Sequence, residues 1–220
     1  QVIPYLHANF YLMNDAQSLL DVETGLEGAV ESIAFLESED KARQLQPDLP
    51  EDHYYYTVNW MSSCAYDNLA THTAEKEGYN SEGVHDCIND GIQVCRRTGK
   101  LECVTCFREY ATDVYRAADD LDMALHYARM IADNPQPETD NDRRWVGAKD
   151  AAELLLLMGR LDAAREAGLL ALRFAESYHS VLSAQMESVG FLATLLDLEG
   201  RPEDLEPLLA DSGIDPSAFP

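Results

Sequence analysis

Long apolar runs are missing from this chain: stretches such as Leu154–Met158 are only a few residues long, far below the ~18–20 needed to cross a bilayer. No membrane association is therefore expected. Glycine and proline are few, 12 and 9 in 220 residues, and no low-complexity tract occurs, which sets aside collagen-like and disordered classes. No basic segment followed by an apolar stretch opens the chain, so no signal peptide is expected. The first residue is Gln1, which marks the expected start of a processed or excised piece. Catalytic signatures are also lacking. There is no glycine-rich phosphate loop after a strand, no GxSxG elbow and no HExxH pair. The six histidines are scattered, and among forty acidic residues carboxylate pairs arise by chance. No catalytic, cofactor-binding or metal-ligating residue is assigned, and the chain is expected not to be an enzyme.

What the chain has in excess is negative charge. Forty Asp and Glu stand against sixteen Lys and Arg, giving −24. So negative a surface repels nucleic-acid phosphate and anionic lipid, so no direct nucleic-acid binding is expected and a basic partner suits it better. With 46% hydrophobic residues, a chain of this length can bury a substantial core. Five cysteines, Cys64, Cys87, Cys95, Cys103 and Cys106, are an odd number in a chain too large to need disulfide staples. Reduced thiols and a cytoplasmic location follow as expectations. Cys87, Cys95 and the Cys103-Val-Thr-Cys106 pair could supply four thiolates to a zinc ion if their helix faces met. The CxxC stands alone, however, and small cysteines buried between helices are the commoner outcome.

A period of about 40 residues runs through the sequence. Leu157–Ala164 (LMGRLDAA) and Leu198–Leu205 (LEGRPEDL) place Gly159 and Gly200 41 residues apart, and Asp119–Ala124 (DDLDMA) repeats Leu, Asp and Ala of the first phrase 40 residues earlier. Gly78 lies one further step back. Around these marks, Ala148, Ala151, Ala152, Leu155 and Leu156 make one helical stripe, and Leu161, Ala164, Ala167, Gly168 and Ala171 the next. A glycine at the mark suits a left-handed helix end. The prediction is a pair of antiparallel helices per repeat: 52–77 with 81–97, 101–117 with 121–133, 143–158 with 162–178, and 181–198 with 202–210. Residues 134–142 form a Pro-rich loop. Upstream, 1–50 hold atypical helices at 4–20, 24–37 and 39–46, the second opened by a Thr24–Glu27 capping box. The tail 211–220 is expected to be unstructured, and the whole is expected to be one domain.

The third pair resembles the tetratricopeptide repeat. Ala152, Gly159, Ala164 and Ala171 stand at that family's spacing, where small side chains let two helices cross closely. The match fades outward: Thr112 and Ile131 replace alanines around Asp119, Leu205 replaces one beyond Gly200, and Thr71 and Gly83 flank Gly78. The period also exceeds the family's ~34 residues. The resemblance implies an all-α fold, a right-handed α-solenoid of antiparallel helix pairs over about 52–210. Another right-handed helical solenoid would carry the same pattern.

In such repeats the first helix of each pair lines a concave groove that binds extended peptides. Carried onto this chain, the groove would show Asn68 and His72, then Glu109, Asp113 and Arg116, then Lys149 and Glu153. Tyr56 and Asn59 join it from the aromatic run His53–Tyr56, because three consecutive tyrosines about 100° apart cannot all face a core. Arg116 and Lys149 are the only cations among them, so a mixed or basic peptide fits better than an acidic carboxyl terminus. The expected function is a non-catalytic scaffold for a peptide or partner-protein segment. The alternative is the ligand- or peptide-sensing part of a larger bacterial regulator.

Overall fold

The computed structural model describes residues 21–36, 51–99, 101–133, 141–175 and 181–211, without the side chains of 51–63, 98, 101–102 and 141–142. The helices predicted at 4–20 and 39–46, most of the 134–142 loop and the tail beyond 211 lie outside the described residues. What is described is helical, with no strand. In chain order the helices are α1 (Val22–Leu36), α2 (Glu51–Glu77), α3 (Glu82–Thr98), α4 (Leu101–Ala117), α5 (Leu121–Ala132), α6 (Asn141–Leu157), α7 (Leu161–Ala175), α8 (Val181–Leu198) and α9 (Leu205–Asp211), the last preceded by the 3₁₀ turn Pro202–Asp204.

The periodic marks all fall at helix ends. Gly78, Gly159 and Gly200 have φ of 93°, 71° and 71°, and Asp119 shares the left-handed region at 62°. Asp tolerates that region better than most side chains. The two related phrases end their helices identically. The amides of Gly159 and Arg160 donate to the carbonyls of Leu156 and Leu155, and those of Gly200 and Arg201 to Asp197 and Leu196, all at 2.9 Å. This paired capping satisfies carbonyls that a helix end leaves orphaned. Helix starts are capped too: Ser81 Oγ accepts from the Val84 amide at 3.3 Å and Asp120 Oδ1 from Met123 at 3.1 Å.

One expected cap is corrected. α1 starts at Val22 and is capped by Asp21, whose carboxylate accepts from the Thr24 amide at 3.2 Å and the Thr24 hydroxyl at 2.7 Å. Thr24 is thus inside the first turn, and the Thr24–Glu27 box does not form the cap. An Asp three residues upstream brings a full charge to the helix start, with one oxygen for the Thr24 amide and the other for its hydroxyl.

The chain groups into two compact units, 1–118 and 119–220. The division falls inside the predicted pair 101–117 with 121–133. In the first unit, α1 packs on α2, α2 on α3, α3 on α4, and α2 also touches α4. In the second, α5 packs on α6, α6 on α7, α7 on α8, and α6 also touches α8, while α9 closes against α8. The small residues of the repeat pattern are interior: Ala124, Ala152, Ala164 and Ala171 are buried, as is Thr112, whose hydroxyl donates to the Arg108 carbonyl at 2.9 Å. In the second unit Trp145, Ala148, Ala171 and Ala184 form one cluster, and Leu172, Val189, Leu192 and Leu209 another. α8 is long and apolar enough by itself to cross a membrane, with a mean hydropathy of 1.2 and a third of its length buried. Glu187 and Asp197 interrupt it, which is why no long apolar run shows in the sequence.

Candidate partner-binding face

The second unit offers the better-defined face. Trp145 of α6 and Ser188 of α8 are both buried, and the indole Nε1–H donates to Ser188 Oγ at 3.1 Å, while that hydroxyl donates to the Ala184 carbonyl at 2.8 Å. This bond sets the spacing of the two helices. Just above it, Lys149 Nζ lies 3.5 Å from Glu187 Oε2 and 5.2 Å from the centre of the Trp145 ring. Glu153 follows one turn along α6, on the same face as Lys149. On α8, Gly190 and Thr194 continue the face from Glu187; both are exposed, and a Cβ on Gly190 would meet nothing within 4 Å. Glu187, Gly190 and Thr194 escaped the sequence reading. For Gly190 and Thr194 the signal was the 41-residue offset, which maps Lys149 onto Gly190 and Glu153 onto Thr194.

In the first unit, Glu109, Asp113 and Arg116 recur on α4 at four- and three-residue steps and therefore share one face. Asp113 is exposed, and Glu109 and Arg116 are half-buried. Asn68 and His72 are corrected. They are interior residues, 6% and 0% exposed, and present no side chain to a groove. Asn68 Nδ2 donates to the Cys64 carbonyl at 2.9 Å. His72 Nδ1 is 3.1 Å from Glu75 Oε2, and its ring lies directly under Gly25 of α1, where an added Cβ would stand 2.2 Å from Nε2. The reason is α1, which covers the face of α2 that the sequence reading left open. Tyr56 and Asn59 fall on α2, but their side chains lie outside the described residues.

The thiols are arranged differently from the zinc pattern considered above. None of the five is in a disulfide, and Cys95 is fully buried. Cys87 Sγ lies 3.9 Å from the Thr73 hydroxyl. The thiol that feels Cys103 and Cys106 is Cys64 of α2: burial above all, then these two thiols and Asp67, push it up to about 12. Burial also raises Asp67, Cys87 and the Tyr110 phenol. Thiols held this far toward the neutral form are poor nucleophiles and poor ligands. Among the described residues no three His, Cys, Asp or Glu are grouped to hold a metal ion.

No protein-family model matches this chain, and no curated protein is similar to it.

Proposed function

We propose that the chain is a non-catalytic interaction module of tetratricopeptide-like helix pairs, which holds a peptide or a partner-protein segment of mixed or basic charge. On this reading α2, α4, α6 and α8 are the first helices of four repeats, and the contacts of α2 with α4 and of α6 with α8 are the stacking of such helices.

The observation that carries it is the α6–α8 face. Its two helices are tied together from below by a buried Trp145–Ser188 hydrogen bond. Above, the charges are exchangeable: the Lys149–Glu187 pair is 29% and 51% exposed, and such pairs are worth ~0–1 kcal/mol. A ligand cation can therefore take Glu187 from Lys149 at little cost, while Gly190 allows a ligand backbone close approach. In the first unit Glu109, Asp113 and Arg116 give α4 a face of the same mixed character.

The test is a panel of 10–12-residue peptides of basic, mixed and acidic composition, titrated onto the full chain. Basic or mixed peptides are expected to bind in the micromolar range, to weaken about tenfold in Glu153→Ala/Glu187→Ala, and to lose affinity as salt rises. No binding tighter than ~1 mM, or hits indifferent to those substitutions, ends this reading.

A further inference from the structure

A different part of the second unit has the features of a small-molecule site. Between α5 and α7 lies a cleft of about 300 Å³. Its floor is Ala148, Ala151 and Leu155 of α6, and Ala132, Ala163 and Ala167 narrow its sides without filling it. The floor is small because α6 is clasped closely by both neighbours: Ala148, Ala151 and Leu155 are at most 3% exposed. Both walls pack on α6, which separates them at the floor.

Charge distinguishes this cleft from an ordinary crevice. Arg129 and Asp133 stand on the α5 rim, Glu166 and Arg173 on the α7 rim. All four are exposed, and none of them makes a side-chain ion pair or hydrogen bond among the described residues. That is unlike the neighbouring cations: Arg160 pairs with Asp122 at 3.3 Å, Arg165 with Asp162 and Glu199, and Arg201 with Asp204. Among the described residues, Arg129 and Arg173 thus stand beside an apolar slot without a carboxylate in salt-bridge contact. A second cavity of about 410 Å³ adjoins the first and shares Arg129 and Asp133 with it.

The ligand class follows by elimination. A simple anion gains Arg129 and Arg173 but meets Asp133 and Glu166. A simple cation meets the reverse. An apolar molecule leaves all four charges beside it without reward. A compact zwitterion satisfies both pairs at once, its carboxylate on a guanidinium as a two-point hydrogen bond and its ammonium on a carboxylate. The slot takes short aliphatic side chains, because its lining is alanine and leucine. Its volume, at the low end for ligand sites, admits an amino acid or a dipeptide.

We propose that the α5–α7 cleft is a binding site for a small aliphatic zwitterion of amino-acid or dipeptide size, separate from the α6–α8 face. Rim charges recognise the two termini, and the alanine floor selects short side chains over aromatic ones.

The experiment uses the full chain with L-alanyl-L-alanine and L-alanyl-L-leucine as probes, followed by backbone amide NMR shifts and calorimetry. Expected are saturable shifts confined to α5, α6 and α7, with a dissociation constant near or below 1 mM. Capping either probe terminus, by acetylation or amidation, should weaken binding about tenfold, as should Arg129→Gln/Arg173→Gln. These rim residues are exposed, so the variant is expected to fold, and circular dichroism checks this. Ala151→Leu, which fills the floor, gives an independent block. No saturable shift at 10 mM probe, shifts outside these helices, or binding unchanged by the capped probes and by the rim variant overturns the proposal. The outcome is independent of the peptide panel, whose sites are on α6 and α8.

Discussion

Gly147 gives the sharpest test of the packing argument. It sits in α6 where α5 crosses, and a Cβ there would stand 2.6 Å from Ile131 Cβ, 2.7 Å from the Ala128 carbonyl oxygen and 2.7 Å from the Ala132 amide nitrogen. Two of the three obstacles are backbone, and the third is the branched root of a side chain that is 1% exposed. No rotamer change relieves the clash, so α5 must move away from α6. Overpacking of this kind costs ~1–3 kcal/mol, and a backbone obstacle puts it at the upper end. Alanine regains ~1 kcal/mol of helix propensity. Gly147→Ala is therefore expected to destabilise the second unit by about 2 kcal/mol net. Gly190 is the control. It lies inside α8 with nothing within 4 Å of its Cβ position, so Gly190→Ala should gain up to ~1 kcal/mol from the same propensity. Urea unfolding, followed by Trp145 fluorescence in a Trp60→Phe background, measures both. The reasoning is refuted if Gly147→Ala is as stable as the parent, or if the two variants shift stability in the same direction.

Three further outcomes follow from individual contacts. Ser188→Ala removes the acceptor of the buried Trp145 indole and should cost ~1–3 kcal/mol in the same unfolding assay; an unchanged midpoint would show that the bond does not set the α6–α8 spacing. Asp21 is held below its ordinary carboxylate range by the Thr24 hydroxyl first and the Thr24 amide second. A group lowered on folding stabilises above its unfolded pKa and loses that contribution as pH falls through the folded one. Amide protection in α1, relative to the intrinsic exchange rate at each pH, should therefore fall on acidification below the ordinary carboxylate range. Asp21→Asn should keep the cap but abolish that pH dependence, and Glu27→Gln should leave it intact. Cys64, raised to about 12, should be alkylated by iodoacetamide at pH 8 at least ~100-fold more slowly than free cysteine, with urea removing the protection. Labelling of the folded protein at the free-cysteine rate would contradict the buried position.

The proposed interaction face was partly visible beforehand and partly hidden. Lys149 and Glu153 could be placed because an α-helix with a capped end has a known phase, and Gly159 supplied that end. Glu187 was out of reach because its role depends on which helix approaches α6, not on any local pattern. The thiols show the same limit. Cys103 and Cys106 are a recognisable i, i+3 pair, but their action on Cys64 depends on the contact of α4 with α2.

Local chemistry alone determined the helices and their ends. Recurring apolar stripes marked the helices, and a glycine or aspartate every 40–41 residues fixed where α2, α4, α6 and α8 stop, because capping and left-handed backbone geometry are properties of a few adjacent residues. Tertiary structure decided which faces are covered. Asn68 and His72 look like surface residues until α1 lies across them, and Gly25 is the reason it can lie so close. Whether a side chain meets water or a neighbouring helix depends on segments far away in the chain, and no short stretch encodes that encounter.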